Sequence, residues 1–315
     1  MRTQGIRLAV VVGLLAGGLA AIGQEPEKTG APLRWRFKPG EVVHYVMTQE
    51  TSNASRPEGG QAMTNTMSQT VDLRWKVESV SPEGVAKLTQ TIDRVRAKIA
   101  NQDQPAPFMF DSQGAPADET DPFAARVVPL LKALAGAEFH FSMTPQGEID
   151  DVAISDKLRE ALLKANPAAG ESAVSPEALK GLIAQATLVL PREGAAAGKS
   201  WTRETKVPLP AVGEMVMTKT FTDQGPESAG SPIHKIDLKT EVSHQSAEGS
   251  PLEMKISGQK GTGLYKFDAQ AGRVVSARVE DSMTMSLSAG GRRIEQTTSN
   301  TITTELAPAA DSSAK

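Results

Sequence analysis

The residues of this chain with the greatest capacity for chemistry are four histidines, two Met-x-Met pairs, a glycine-rich stretch ending in Lys-Ser and two groups of carboxylates. His44, His140, His234 and His244 contain no i, i+4 pair, and no His-Glu-x-x-His occurs, so zinc-protease chemistry has no scaffold. His234 and His244 share parity with Ile236, Leu238 and Val242, which predicts the two rims of one strand, too distant for one metal ion. Met215-x-Met217 and Met283-x-Met285 each put two thioethers on one face of a strand, a soft donor set suited to Cu(I). The same residues equally fill irregular cores, which is the reading the surrounding apolar phase favours. Gly194-Ala-Ala-Ala-Gly198-Lys199-Ser200 has three residues between its glycines where a phosphate-binding loop needs four, and Val207-Pro208-Leu209-Pro210 follows in place of a long helix. A turn opening a strand is expected there. Asp118, Glu119 and Asp121, and Glu148, Asp150 and Asp151, fall at turns and helix starts, where carboxylates solvate loops and favour the helix dipole. No Gly-x-Ser-x-Gly elbow occurs, and the absence of cysteine removes thiol catalysis, Cys-ligated zinc and iron–sulfur clusters.

These residues need elements to position them, and period-two patterning supplies most of those. From 67 to 80, Met67, Val71, Leu73, Trp75 and Val77 alternate with Asp72, Arg74, Lys76 and Glu78, which predicts a strand with one wet face. Pro82-Glu83-Gly84 turns the chain, and the returning strand changes apolar parity between Ile92 and Val95, so a bulge is expected near Asp93. Ile236, Leu238 and Val242 alternate with charged neighbours. From Val275 to Leu287 the odd positions hold a single phase over roughly 40 Å, about twice an ordinary strand. Strands of that length fit a curved sheet or open barrel. Along this phase Val275, Val279, Met283, Met285 and Leu287 are the candidate lining of an apolar cavity. Asp281 falls within the stripe, so it requires a partner, a shifted pKa or water; a closed core with Asp281 at a bulge is the alternative.

Helical signals are confined to the middle. Asp121-Pro122 predicts an N-cap and first helical residue, with Phe123, Val127, Leu130 and Leu134 on one face, Pro129 as a kink or split and Gly136 as the stop. Ser155 precedes Leu158 and Leu162 in a segment ending at Asn166-Pro167, and Ser175-Pro176-Glu177 opens a third segment. Residues 101–118 are a Pro- and Gln-rich connection expected to be a loop or flap. Met143 to Ile149 and Asp268 to Val274 each predict a tight glycine turn into a new strand, a hint of internal repetition.

Composition fixes the setting. Arg2 and Arg7, the apolar run Leu8–Ala21 and the small-x-small Ala21-Ile22-Gly23 predict a signal peptide over 1–23, cleaved between Gly23 and Gln24. A run of about 15 residues is short for a membrane span, so no transmembrane segment is expected in the mature chain. Its removal takes the formal charge from −3 to −5, and no basic cluster suits nucleic acid or anionic lipid. At 4%, aromatic residues are too few for the stacking platforms of a carbohydrate cleft. The expected organisation is a tether over 24–32, one β-rich domain over 33–306 with halves 33–152 and 190–306 joined by a helical segment, and a fraying tail over 307–315.

Four ordered landmarks carry a resemblance: Trp35-x-Phe37-x-Pro39-Gly40; Phe139-x-Phe141-x-Met143-Thr144-Pro145-x-Gly147; Pro191 leading to Gly198-Lys199-Ser200-Trp201; and Gly261-x-Gly263-x-Tyr265-x-Phe267-Asp268 running to Gly272. In this order the chain resembles a family of uncharacterised exported bacterial proteins, a domain of unknown function. The resemblance implies an exported β-rich domain and no particular activity. The architecture is also loosely similar to that of periplasmic lipoprotein carriers, a half-open barrel with a helical lid.

The sequence therefore predicts an α+β, β-dominated fold: a long antiparallel curved sheet or half-open barrel with two or three mid-chain helices packed on it. The expected function is a non-enzymatic binding or carrier module, in the periplasm or extracellular, for an apolar or amphipathic partner such as a lipid, a lipoprotein or another envelope protein. It is expected to use no cofactor or metal and to bind no nucleic acid. The alternatives are a structural or interaction module meeting its partner through the Thr/Ser-rich stretch Gln296–Thr304, or a hydrolase with dispersed carboxylates.

Overall fold

Alternation of apolar and charged residues forces most of this chain into strands, because only a two-residue period puts Val71, Leu73, Trp75 and Val77 on one side of the backbone. In the computed structural model, which describes residues 33–308 apart from 103–105, 116–120, 166–173, 176–177, 182, 184–186, 194, 196, 210–211, 248, 251 and 291, that segment lies in β2 (Met63–Val80). Val71 and Val77 are buried and Lys76 and Glu78 are exposed. The other strands are β1 (Val42–Pro57), β3 (Ala86–Asn101), β4 (Phe108–Asp111), β5 (Glu138–Met143) and β6 (Ile149–Ile154) in the first half. The second half holds β7 (Ser200–Leu209), β8 (Gly213–Pro226), β9 (Ile233–Ser246), β10 (Leu252–Asp268), β11 (Arg273–Ala289) and β12 (Arg292–Ala307). The expected bulge is at Asp93: Asp72 pairs with Arg94 and Leu73 with Ile92, leaving Asp93 unpaired in register. Residues 101–118, expected as a loop, contain the short β4, whose residues 108–111 pair with Ile99 to Arg96 of β3.

All twelve strands form one antiparallel sheet, in the order β6-β5-β3-β2-β1-β12-β11-β10-β9-β8-β7 with β4 beside β3. The sheet is not closed into a barrel. Eleven strands laid flat would put the outer edges of β6 and β7 roughly 50 Å apart. Yet Glu148, entering β6, accepts from Arg203 of β7 at 3.5 Å, so the sheet curls until its edges meet at one end. Residues 187–191 fill the remaining gap there. Leu190 N donates to Gln146 O at 2.7 Å on one side, and Trp201 Nε1 donates to Val189 O at 2.7 Å on the other. The result is a half-open trough with a closed base.

The helices α1 (Ala124–Leu134) and α2 (Asp156–Ala165) pack on each other, and α1 rests on β3 and β4. Asp121 caps α1 as expected, its carboxylate accepting from Ala124 N at 2.8 Å. Ser155 Oγ and Ser175 Oγ likewise accept from Leu158 N and Ala178 N. Pro129 does not split α1; its ring is on the exposed face, where water can take the carbonyl left over by the missing N–H. The buried stripe is Ala124, Val128 and Leu131, one position on from the expected Val127 and Leu130. The predicted leader 1–23, the tether 24–32, Asp118, Glu119, Asn166-Pro167 and most of the tail lie outside the described residues.

Candidate functional site

The closed base is where the four landmark motifs converge. Trp35 stacks on Phe37 at 6.3 Å and meets Phe267 edge-on at 5.6 Å, while Trp75 meets Phe141 at 5.9 Å and Trp201 stacks on Phe221 at 5.5 Å. The strap Leu33–Phe37 ties both glycine turns together: Trp35 N donates to Pro145 O at 2.8 Å and Arg36 N to Gly272 O at 2.9 Å. A side chain is impossible at these turns. A Cβ on Gly147, at φ +88°, would lie 2.4 Å from Leu188 O and 2.7 Å from Trp35 Nε1. The motifs build a filled aromatic plug, so they position a site and do not form one.

Above the plug, the inner face changes character row by row. The row Ile236–Tyr265–Ala277–Thr304–Met47–Val71 is mostly apolar. The next, Leu238–Gly263–Val279–Ile302–Gln49–Gln69, is mixed. The third, Lys219–Thr240–Gly261–Asp281–Asn300–Thr51, is polar apart from the gap at Gly261. Asn300 Oδ1 accepts from both Gln49 Nε2 at 2.9 Å and Thr51 Oγ1 at 3.0 Å, and Thr298 donates to Asn53 Oδ1 at 2.8 Å one row further out. Burial raises the pKa of Asp281, against the opposing pull of Lys219, and burial also lowers that of Lys219. Burial, with the Asp281 charge added, pushes the Tyr265 phenol up as well.

The candidate lining residues sit along this gradient. Val279, Met283, Met285 and Leu287 share the inner face of β11 with Asp281 and are half-buried. Val275 does not hold their phase: a bulge opposite Lys266 and Phe267 turns Val274 inward at 6% exposure and leaves Val275 half-buried. Asp281 itself is opposite Gly261, where a Cβ would come within 2.6 Å of its Oδ1. The glycine is what gives the carboxyl room.

Sequence reasoning missed one feature entirely. β9 and β10 pair from Ile233↔Asp268 only as far as Thr240↔Gly261. Beyond that point β9 stays with β8 as far as Ser246, and β10 stays with β11 back to Leu252, so the two arms of this hairpin part. The groove between them has a volume of about 500 Å³ and is lined by Val242, Ser243, His244, Met254, Lys255 and Ile256 among others. At its apex the Gln259 side chain acts as a stand-in peptide group. Its Oε1 accepts from Val242 N at 2.8 Å and its Nε2 donates to Thr240 O at 2.7 Å. A cluster of Ser, Gly and Gln around Ser257-Gly258-Gln259 was the only sequence signal.

The remaining chemical candidates are dispersed. His140 is exposed beside Thr89, and His234 is paired with the fully buried Asp223 at 3.1 Å. His244 is at the far end of β9 from His234. Among the described residues no three His, Asp or Glu side chains gather as a metal site. The Met215/Met217 and Met283/Met285 pairs are on β8 and β11 with two strands between them, more than roughly 14 Å apart because β9 and β10 part at that level. Glu148 and Asp150 are held by Arg203 and Lys180. The Gly198 stretch is a turn opening β7, with Gly198 N donating to Asp223 O at 2.6 Å.

The model of a family of unknown function, DUF6263, matches residues 83–274, from the β2–β3 turn to the start of β11. The chain belongs to this family. Both glycine turns and the whole β9–β10 hairpin of the DUF6263 protein fall inside the matched region. No curated protein matches the chain. Among solved structures it is similar to lipovitellin, described for its lipid–protein interactions, with a TM-score of 0.43 and 11% identity over 89% of this chain and 27% of that one. It is also similar to an outer membrane channel from Pseudomonas putida F1, with a TM-score of 0.25 and 7% identity over 89% and 100% of the two chains. No helix among the described residues is long and apolar enough to cross a membrane.

Proposed function

We propose that this DUF6263 protein is an exported, non-enzymatic binding protein whose open inner face holds an apolar or amphipathic partner. One observation carries this reading. The inner face is filled at the base, yet over β11 and β12 it leaves Val279, Met283, Met285 and Leu287 half-exposed beside the hydrogen-bonded Gln49–Thr51–Asn300 belt. Apolar surface graded into fixed polar groups is the composition of a site that binds without reacting. The methionines add an adaptable, polarizable surface. Helix α1 rests on β3 and β4, and α2 packs on α1.

An environment-sensitive apolar dye should bind the native protein stoichiometrically. Met283→Trp should abolish uptake while the thermal transition stays cooperative. No uptake by the folded wild-type protein would overturn the reading. The interaction-module alternative draws less support, because the outer-face hydroxyls of that region bond one another, as in Thr284–Thr297 at 3.0 Å and Ser299–Ser282 at 3.3 Å. The hydrolase alternative meets carboxylates already engaged: Glu148 and Asp150 in ion pairs, Asp121 at a helix cap and Asp151 with Ser142.

A further inference from the structure

We propose that the parted β9–β10 hairpin is a strand-insertion slot that takes an extended polypeptide segment of a partner, apolar on one face and acidic or neutral polar on the other. This deepens the binding reading above and rests on it. The rims of the slot are two strands, each anchored on its far side, β9 to β8 and β10 to β11. In an antiparallel ladder a residue directs its N–H and C=O to the same side, and alternate residues agree. Val242 N points into the slot, as its bond to Gln259 shows, so the main-chain groups of His244 and Ser246 point there too.

The ligand chemistry is displayed by the molecule itself. The group that fills the apex is a carboxamide, donating to Thr240 O and accepting from Val242 N as a neighbouring strand would. A peptide backbone repeats that group at every residue, whereas an acyl chain filling the slot would leave the inward main-chain groups of His244 and Ser246 without partners, with the loss of a hydrogen bond at each. Side chains set the rest. Val242, Met254 and Ile256 face the trough, and the exposed Ser243 and Lys255 face outward, so an inserted strand meets an apolar and a polar side in alternation. On the outward side the described lining includes Lys255 and no carboxylate, which favours acidic residues on the polar side of the occupant; His244 shares the inner side with Val242. Val242 to Ser246 spans roughly 17 Å, room for about five residues.

The probe is a fluorescently labelled, end-capped heptapeptide of alternating valine and glutamate, titrated into the full chain by anisotropy. Its analogue N-methylated at alternate residues keeps every side chain but loses one edge of donors, and should bind at least about tenfold more weakly. The valine–lysine counterpart should also bind more weakly. His244→Pro and Ser246→Pro, each checked for an unchanged thermal midpoint, should weaken the parent peptide; if both variants unfold, the N-methylated peptide decides alone. Equal affinity of the parent and N-methylated peptides would overturn the slot. So would dye uptake at the inner face with no peptide binding, which would leave the broader binding reading standing. A concentration-dependent dimer that excess peptide leaves intact would give the slot to a second copy of this chain and overturn the proposal as well.

Discussion

The base of the trough and its upper reach share the same strands but solve opposite problems. At the base, Trp35, Phe37, Phe267, Trp75 and Phe141 interlock, and two positive-φ glycines let backbone approach where any side chain would collide. A few registers further along the same strands, the inner face offers Asn, Thr and Gln hydroxyls and amides, half-buried methionines and a hairpin whose arms do not pair. The difference teaches that strand continuity does not distribute stability evenly. The plug fixes the curvature, and the upper sheet can then remain incompletely packed.

The sharpest way to break this contrast is at paired glycines. Gly147→Ala combines a left-handed backbone with contacts of 2.4 and 2.7 Å, and should cost about 3–5 kcal/mol in chemical denaturation. Gly258→Ala, in the upper sheet, meets nothing nearer than 3.8 Å and should cost less than about 1 kcal/mol. Similar losses at both would mean that the base is not the stabilising region. Next in size, Trp75→Ala should cost about 3 kcal/mol by leaving a cavity against Tyr45 and Phe141. Its neighbour on the wet face, Lys76→Ala, should change stability by less than about 0.5 kcal/mol. Hydrogen exchange resolves the same contrast without mutation: the His244 amide should exchange well before those of Ile236 and Leu238, because its side of β9 lacks the β10 ladder.

The smallest effect concerns Asp281. Burial holds its folded pKa above the ordinary 3.8, so the folded state binds the proton more tightly than the unfolded chain. That stability is fully present below the ordinary value and is lost as pH rises through the folded one. Relative to Asp281→Asn, the wild-type denaturation midpoint should therefore fall as pH rises above about 4. A difference between the two proteins that does not change with pH would show the carboxyl to be solvated in both states.

Legibility in the sequence tracked the distance over which the deciding interaction acts. The strand at 67–80 and the bulge at Asp93 were readable because their apolar residues are well separated, so parity was unambiguous. The caps Asp121, Ser155 and Ser175 act on amides three residues away. Apolar doublets defeated the same reasoning. Val274-Val275 permits either phase, and the bulge chose Val274; Val127-Val128 and Leu130-Leu131 permit two helix rotations, and packing chose Val128 and Leu131. The stripe through Met283, Met285 and Leu287 was legible, but the place of the helices was not: α1 rests on β3 and β4, a choice made by tertiary contacts. The parted hairpin left no trace beyond the Ser257-Gly258-Gln259 cluster, where β10 bulges against β11; elsewhere each arm alternates normally with its outer neighbour.

The strap Leu33–Phe37 also sets the order of events in time. Its indole donates to Leu188, 153 residues downstream, and its backbone waits for Pro145 and Gly272. β1 finds its second neighbour only when β12, ending at Ala307, has been made. A chain emerging from its N-terminus would thus carry long strand edges before the pairings that cover them exist. Such non-local topology folds slowly and exposes edges to other chains in the interval. The segment that ties the two halves together is made before every partner it ties and is among the last to find them.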